Sequence, residues 1–164
     1  MSLSYSSHVP DPVALITVAT AEHQNVMTAA WATPVSADPP ILMVSIRPSR
    51  FTHDLILEAK EFGVSILADD QKKLSEIAGT LSGKKKDKLA LPGFDTFAAK
   101  KIKAPLVKGA HAWFECVLHS HHTAGDHTAF YGIVIEMKVD ETKSPLVLFQ
   151  HKYYALGEVK GVYP

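Results

Sequence analysis

Short, dense runs of apolar residues alternate with polar breaks along this chain, and most of the runs are too short for helices. Val13 to Thr20 (VALITVAT) is β-branched and apolar on both faces, which predicts a strand covered on both sides. Glu22 to Asn25 makes a polar connection, and Val26 to Thr33 is expected to return as its hairpin partner. Ile41 to Ile46 is apolar throughout and predicts a third strand, set off by a Pro-rich turn containing Pro34, Asp38, Pro39 and Pro40. Leu55, Ile56 and Ala59 then recur at helical spacing, so Thr52 to Lys60 reads as a short helix with Ser49 or Thr52 placed to cap it.

Glu61 to Ala68 predicts another short strand. Asp70 can cap a second helix, with Leu74, Ile77, Ala78 and Leu81 as its buried stripe and with Gly79 and Gly83 weakening its end. Leu89 to Pro105 reads as loop with a brief strand near Phe94 and Phe97. Ala112 to His121 alternates, with Trp113, Glu115, Val117 and His119 on one face and Phe114, Cys116 and Leu118 on the other. Ala124, Gly125 and Asp126 make the turn. Thr128 to Val139 returns with Tyr131, Ile133, Ile135, Met137 and Val139 expected on the apolar face. Pro145 to Phe149 adds a short strand, and Lys152 to Pro164 reads as a tail carrying Tyr153 and Tyr154. About seven strands with two or more short helices, and no Gly-rich crossover from strand to helix, predict a mostly β barrel and not a doubly wound sheet.

Composition narrows the classes. A chain of 164 residues with 46% hydrophobic composition buries one core, so a single domain spanning residues 1 to 164 is expected. Lys plus Arg and Asp plus Glu balance at 17 each, so no global field draws nucleic acid or an acidic membrane, and an anion must be held locally. One cysteine, Cys116, leaves no internal disulfide and no Cys-rich zinc site, as suits a reducing cytoplasm. The longest early apolar run, Val13 to Ala19, is too short to span a bilayer and has no basic residues before it, so a soluble chain without a signal peptide is expected. No G-x-G-x-x-G opens a helix, no P-loop or G-x-S-x-G elbow is present, and basic residues do not interleave with aromatics as a single-strand stacking platform requires.

Candidate chemistry gathers between Asn25 and Thr52. Thr28, Ala29 and Ala30 are small enough for a flat group to lie against the strand backbone. Ser45, Arg47, Ser49, Arg50 and Thr52 supply donors for an anion, with the start of a helix beside them. A flat group next to an anion is the outline of a flavin mononucleotide. Ser82 to Lys88 (SGKKKDK) is a basic loop, read here as a solvated surface turn in preference to a phosphate grip. Nine histidines are many for this length. His119, His121, His122 and His127 bracket one turn, and with Glu115 or Asp126 they could ligate zinc or iron, although the spacing also fits exposed hairpin residues.

The segments PVALITVAT, NVMTAAWATPVSADPP, VSIRPSRFTHDLI and GDHTAFYGIV, in that order, resemble the flavin reductase-like (flavoredoxin-like) family of FMN-binding split-barrel proteins, from about Val9 to Gly157. The resemblance implies a Greek-key split β-barrel homodimer that binds FMN near the subunit interface. In similar proteins the strand here carrying Asn25, Met27, Thr28, Ala29, Ala30 and Trp31 lies along the isoalloxazine ring. The segment with Ser45, Arg47, Ser49, Arg50 and Thr52 holds ribityl and phosphate oxygens, and His127 lies where the nicotinamide stacks. The implied activity is hydride transfer from NADH or NADPH to flavin, and on to free flavin, a ferric chelate, a quinone or a partner protein, in the cytoplasm. Two alternatives stand beside it. One is an FMN electron carrier that accepts no nicotinamide, with Tyr153 and Tyr154 covering that face; the other is a metal-binding barrel built on His119, His121 and His127.

Overall fold

A computed structural model describes residues 4 to 163. Its strands are β1 (Asp11–Pro12), β2 (Ala14–Ala19), β3 (Gln24–Ala29), β4 (Ala32–Ala37), β5 (Pro40–Ile46), β6 (Glu61–Ile66), β7 (Thr96–Phe97), β8 (Leu106–Val107), β9 (Ala112–Ala124), β10 (His127–Val139), β11 (Leu146–Phe149) and β12 (Lys152–Ala155). Two α-helices interrupt them, α1 (Phe51–Ala59) and α2 (Lys72–Thr80). Seven strands form one antiparallel sheet in the order β3-β2-β6-β9-β10-β5-β4.

All seven strands send side chains into one cluster, among them Ile16, Ala29, Ala32, Val44, Phe62, Cys116 and Phe130, joined by Leu55 and Ile56 of α1. A flat sheet cannot converge its strands on one cluster, so the sheet is curled around this core as a mostly β barrel. A second cluster lies outside the curl, where Leu74 and Ala78 of α2 meet Val13, Leu15, Val26 and Leu146. The two faces of β2 thus feed two different cores, which is why that strand is apolar at every position but Thr17.

The expected strand over Val26 to Thr33 is in fact two. β3 ends at Ala29, the chain turns through Ala30 and Trp31, and β4 pairs with β5 at the opposite edge of the sheet. Pro34 belongs to this edge strand and not to the turn; an edge position tolerates a residue with no N–H to donate. The turn itself is Asp38-Pro39, whose peptide bond is cis.

Neither Ser49 nor Thr52 caps α1. Arg50 occupies the N-cap without a side-chain bond, and Thr52 is buried with its hydroxyl accepting from Asn25 Nδ2 at 2.8 Å. The buried residues of α2 are Leu74, Ser75 and Ala78, whereas Leu81 lies beyond the helix and is exposed. Asp70 does not cap α2 directly, because a short turn of 3-10 helix over Asp69–Gln71 precedes it.

The face expected to be apolar on β10 is largely the open one. Ile135, Met137 and Val139 are exposed while Phe130, Gly132 and Val134 face the core; Phe62 and Cys116 fill the space in front of Gly132, so the smallest residue of the strand lies on its inward face and the apolar odd-numbered residues lie on the other. On β9, Val117 is exposed, and Glu115 is buried with its carboxylate accepting from the Lys100 and Lys101 amides at 2.9 and 2.6 Å. The expected tail begins with β12, which pairs with β11, which in turn pairs with β1. The Tyr153 hydroxyl lies 3.0 Å from Ser75 Oγ, tying this small sheet to α2.

Candidate functional site

β3 lies at one edge of the large sheet, so alternate N–H and C=O groups along its outer side have no partner strand. Two hollows open beside it and meet at Met27, Thr28 and Arg50. One, of about 150 Å³, runs from Asn25 past Ser49, Arg50, Phe51 and Thr52 to the end of α2 and Lys88. The other, of about 190 Å³, runs from Met27 through Ala30 and Trp31 to Ser45, Arg47 and His127.

The first hollow is the cationic, hydroxyl-rich end. Helix α2 is drawn onto β3 by the Thr28 hydroxyl, which donates to the Ser75 carbonyl at 2.6 Å. Where α2 ends, Lys88 reaches back. It is only 2% exposed, and its Nζ donates to the carbonyls of Ala78 at 2.9 Å and Leu81 at 3.1 Å. Among the described residues no carboxylate pairs with it, and burial together with the nearby Arg50 charge pushes its pKa down from 10.5 to about 8. A buried ammonium next to a guanidinium, with no counter-charge, is a site that an anion would stabilise. Asn25 is buried as well; its Nδ2 is used on Thr52, while its Oδ1 is buried without a partner. Gly83 packs directly against that oxygen, where any Cβ would collide with the Asn25 amide.

The second hollow is walled by a chain of charges and rings. Arg47 Nη2 lies 2.9 Å from Asp126 Oδ2, and His127 Nδ1 donates to Asp126 Oδ1 at 2.6 Å. The His127 hydrogen bond, aided by the Arg47 charge, holds the Asp126 carboxyl below the usual carboxylate range. The His127 ring lies 4.6 Å from that of Trp31, tilted by 42°. Gly125, with φ of 61°, makes the tight β9–β10 turn that delivers Asp126 and His127 here.

The structure brings every one of the sequence candidates to one of these two hollows. Asn25, Ser49 and Thr52 line the first; Ala29, Ala30, Trp31, Ser45, Arg47 and His127 line the second; Met27, Thr28 and Arg50 line both. Arg47 lies against Asp126 in the second hollow, and Arg50 and Lys88 are the cations that line the first. Sequence reading missed Lys88 and the α2 C-terminus. Lys88 follows a run of three lysines, separated from it by Asp87, and only the fold buries Lys88 and leaves Lys84, Lys85 and Lys86 exposed.

The histidine cluster does not converge. His119, His121 and His122 are exposed; the rings of His121 and His122 lie near Phe130 and Tyr131, and among the described residues no three His, Cys, Asp or Glu side chains gather to hold a metal ion. Neither Tyr153 nor Tyr154 lines the hollow beside Trp31.

Comparison with known proteins agrees with this geometry. The model of the flavin reductase like domain matches residues 6–157. An uncharacterised protein of Archaeoglobus fulgidus is 40% identical over 116 residues, covering 71% of this chain and 66% of that protein, so this chain spans just under two thirds of that relative's length. The NADH-dependent flavin reductase StyB of Pseudomonas fluorescens is 34% identical over 130 residues, covering 78% of this chain and 72% of StyB. Among solved structures, the FMN-binding protein from Thermus thermophilus superposes with a TM-score of 0.86 at 32% identity, covering 99% of this chain and 96% of that one.

Proposed function

The chain belongs to the flavin reductase like family, and from that premise we propose that it is an NAD(P)H-dependent flavin reductase, binding FMN across the two hollows as a single domain. The observation that carries this reading is the adjacency of a buried, uncompensated cation, Lys88, to an edge strand of small residues. Ser49, Arg50, Thr52 and Lys88 would hold the phosphate, by charge-assisted bonds from the cations and by hydroxyls at the start of α1. The unpartnered Asn25 Oδ1 would accept from a ribityl hydroxyl. Thr28, Ala29 and Ala30 would let the flat ring approach the free edge of β3, whose N–H groups then meet the negative charge that reduction builds on the pyrimidine edge.

Bound flavin supplies the redox chemistry, taking a hydride from nicotinamide and returning electrons to an acceptor. The protein orients and excludes water. His127, held by Asp126 and backed by Trp31, presents a flat polar face where a nicotinamide would stack, and Arg47 offers a positive charge beside it. Free flavin, ferric chelates, quinones and a partner enzyme all fit as acceptors. We place the protein in the cytoplasm with its donor; among the described residues no helix is long and apolar enough to cross a membrane. A homodimer is also proposed, supported by the exposed apolar residues Val117, Ile135, Met137 and Val139 on adjacent strands.

The test is a visible absorption spectrum of the purified protein before and after anaerobic NADH, then NADPH. Near-stoichiometric flavin bands that bleach with one nicotinamide are expected. Bands that fail to bleach would favour an electron carrier, and a colourless protein that takes up no added FMN would overturn the flavin reading.

Two substitutions separate the donor's place from the flavin's. His127→Ala should lower the rate of flavin reduction at limiting NAD(P)H by roughly tenfold or more, as expected when an orienting contact worth about 1.4 kcal/mol is lost. Stopped-flow reduction checks it, and an unchanged rate at both limiting and saturating donor would remove His127 from the site. Asp126→Asn frees Arg47 and loosens His127 together, so the nicotinamide KM should rise several-fold. The FMN Kd, measured by fluorescence quenching, should stay constant.

A further inference from the structure

Helix α1 and strand β10 bring their first residues to the two hollows from distant parts of the chain. Arg50, Phe51 and Thr52, at the start of α1, line the first, and His127, the first residue of β10, lines the second. A ligand that spans both hollows requires these two ends to keep a fixed relation. Among the described residues, one side-chain hydrogen bond joins α1 to β10, between His53 Nε2 and Thr128 Oγ1 at 3.0 Å.

Both partners are withdrawn from water. The His53 side chain is 12% exposed, and Thr128 is buried. His53 Nδ1 lies 3.1 Å from Asp54 Oδ1; an ionised carboxylate only accepts, so in the neutral ring Nδ1 carries the proton and Nε2 accepts from the Thr128 hydroxyl. The same ring packs edge-on to the fully buried Phe130, at 5.1 Å and 71°. Packing on Phe130 fills space, whereas a hydrogen bond from each ring nitrogen, one to α1 and one to β10, fixes direction as well. Thr128 pairs with Ile46 across β10 and β5, and the residues beside that pair, His127 and Arg47, are the two that hold Asp126. His53 itself lines neither hollow, so its influence on the site passes through Thr128.

We propose that His53 is a positioning residue: by bonding Thr128 it holds the head of β10 against α1, and so sets the His127 ring at the donor's place. The proposal rests on the reading of the second hollow as the nicotinamide site, while the position of the His127 ring is measurable with no ligand bound.

Three variants test it. His53→Phe keeps a ring against Phe130 and loses both nitrogens, His53→Gln keeps an amide within reach of the Thr128 hydroxyl, and Thr128→Val removes that hydroxyl while keeping the shape. Proton–carbon correlation spectra of the imidazole groups in the apoprotein report the His127 ring, identified by the signal lost in His127→Ala and sensitive to the Trp31 ring beside it. That signal should move in His53→Phe and in Thr128→Val, and return in His53→Gln. In the FMN-loaded protein the NAD(P)H KM should rise about three- to tenfold in the first two and stay within about twofold of wild type in His53→Gln, with kcat and the FMN Kd within about twofold throughout. His53→Phe should add nothing in a His127→Ala background. An unmoved His127 signal, an unchanged KM, or a KM rise that His53→Gln does not rescue would overturn the proposal. So would an equal weakening of FMN binding, which would place His53 with the phosphate donors. Thr128→Val decides the matter if His53→Phe does not fold. A protein that binds no FMN would overturn the flavin reading alone, because the apoprotein spectra still decide whether His53 positions His127.

Discussion

Lys88→Met is expected to weaken FMN binding by roughly 10- to 100-fold, the loss of one charge-assisted bond of about 1.5–3 kcal/mol, while leaving riboflavin within about twofold. The contrast between the two ligands isolates the phosphate. Methionine keeps the length and apolar body of the side chain, so the space at the end of α2 stays filled. The same residue sets a pH dependence. Its folded pKa of about 8 lies below the ordinary 10.5, so between those values the unfolded chain binds more protons, and stability should rise with pH across that window. Below it, the cost of burying the charge is fully present. A bound phosphate reverses the shift by offering a counter-charge. FMN binding should therefore take up a proton above pH about 8 and weaken as pH climbs further, well clear of the phosphate's own second pKa near 6. Titrations at several pH values in two buffers of different ionisation enthalpy check this, and in Lys88→Met the profile should be flat.

Phe62→Ala should cost about 3–5 kcal/mol, the usual loss for an aromatic side chain removed from a closed core, and lower Tm by roughly 6–20 °C. Phe62 is fully buried where all seven strands of the large sheet converge. Its ring edge faces Gly132 of β10, where an added Cβ would sit 2.6 Å from Phe62 Cζ and 2.8 Å from Cys116 Cβ. Gly132→Ala alone should therefore destabilise by about 1–3 kcal/mol through overpacking. Combined, the two changes should cost less than their sum by more than about 0.5 kcal/mol, because the space Phe62 vacates takes the new methyl. The coupling should be partial, since Cys116 still presses on the methyl from β9. Urea unfolding of the four proteins measures it, and strict additivity would mean that Phe62 and Gly132 do not share this contact in solution.

Local pattern made the strands legible. Val13 to Thr20 and Ile41 to Ile46 are apolar at nearly every position, and a run apolar on both faces has few alternatives to a covered strand, wherever its partners are. The β9–β10 hairpin was legible for a similar reason, since its turn residues stand between two alternating runs. The neighbourhood of the site was also written locally. The small residues of β3 and the donors of Ser45 to Thr52 lie within one stretch of the chain, and the resemblance to the flavin reductase-like family rests on that stretch and the Gly125-Asp126-His127 turn.

Other features depended on contacts far apart in the chain. Val26 to Thr33 reads as one strand, yet it divides at Ala30 and Trp31 because only the curled sheet has two edges for its halves to occupy. The inward face of β10 depends on what β6 and β9 set against it: Phe62 and Cys116 close on Gly132, so alternation alone assigned Ile135, Met137 and Val139 to the wrong side. Lys88 differs from Lys84, Lys85 and Lys86 only in being folded under the end of α2, and Arg47 faces Asp126 because β10 pairs with β5. The sequence by itself determined which segments are strands and which stretch can hold a flat anion. The tertiary structure decided which charge is buried there and which is paired, because desolvation and ion pairing are set by neighbours distant in the chain.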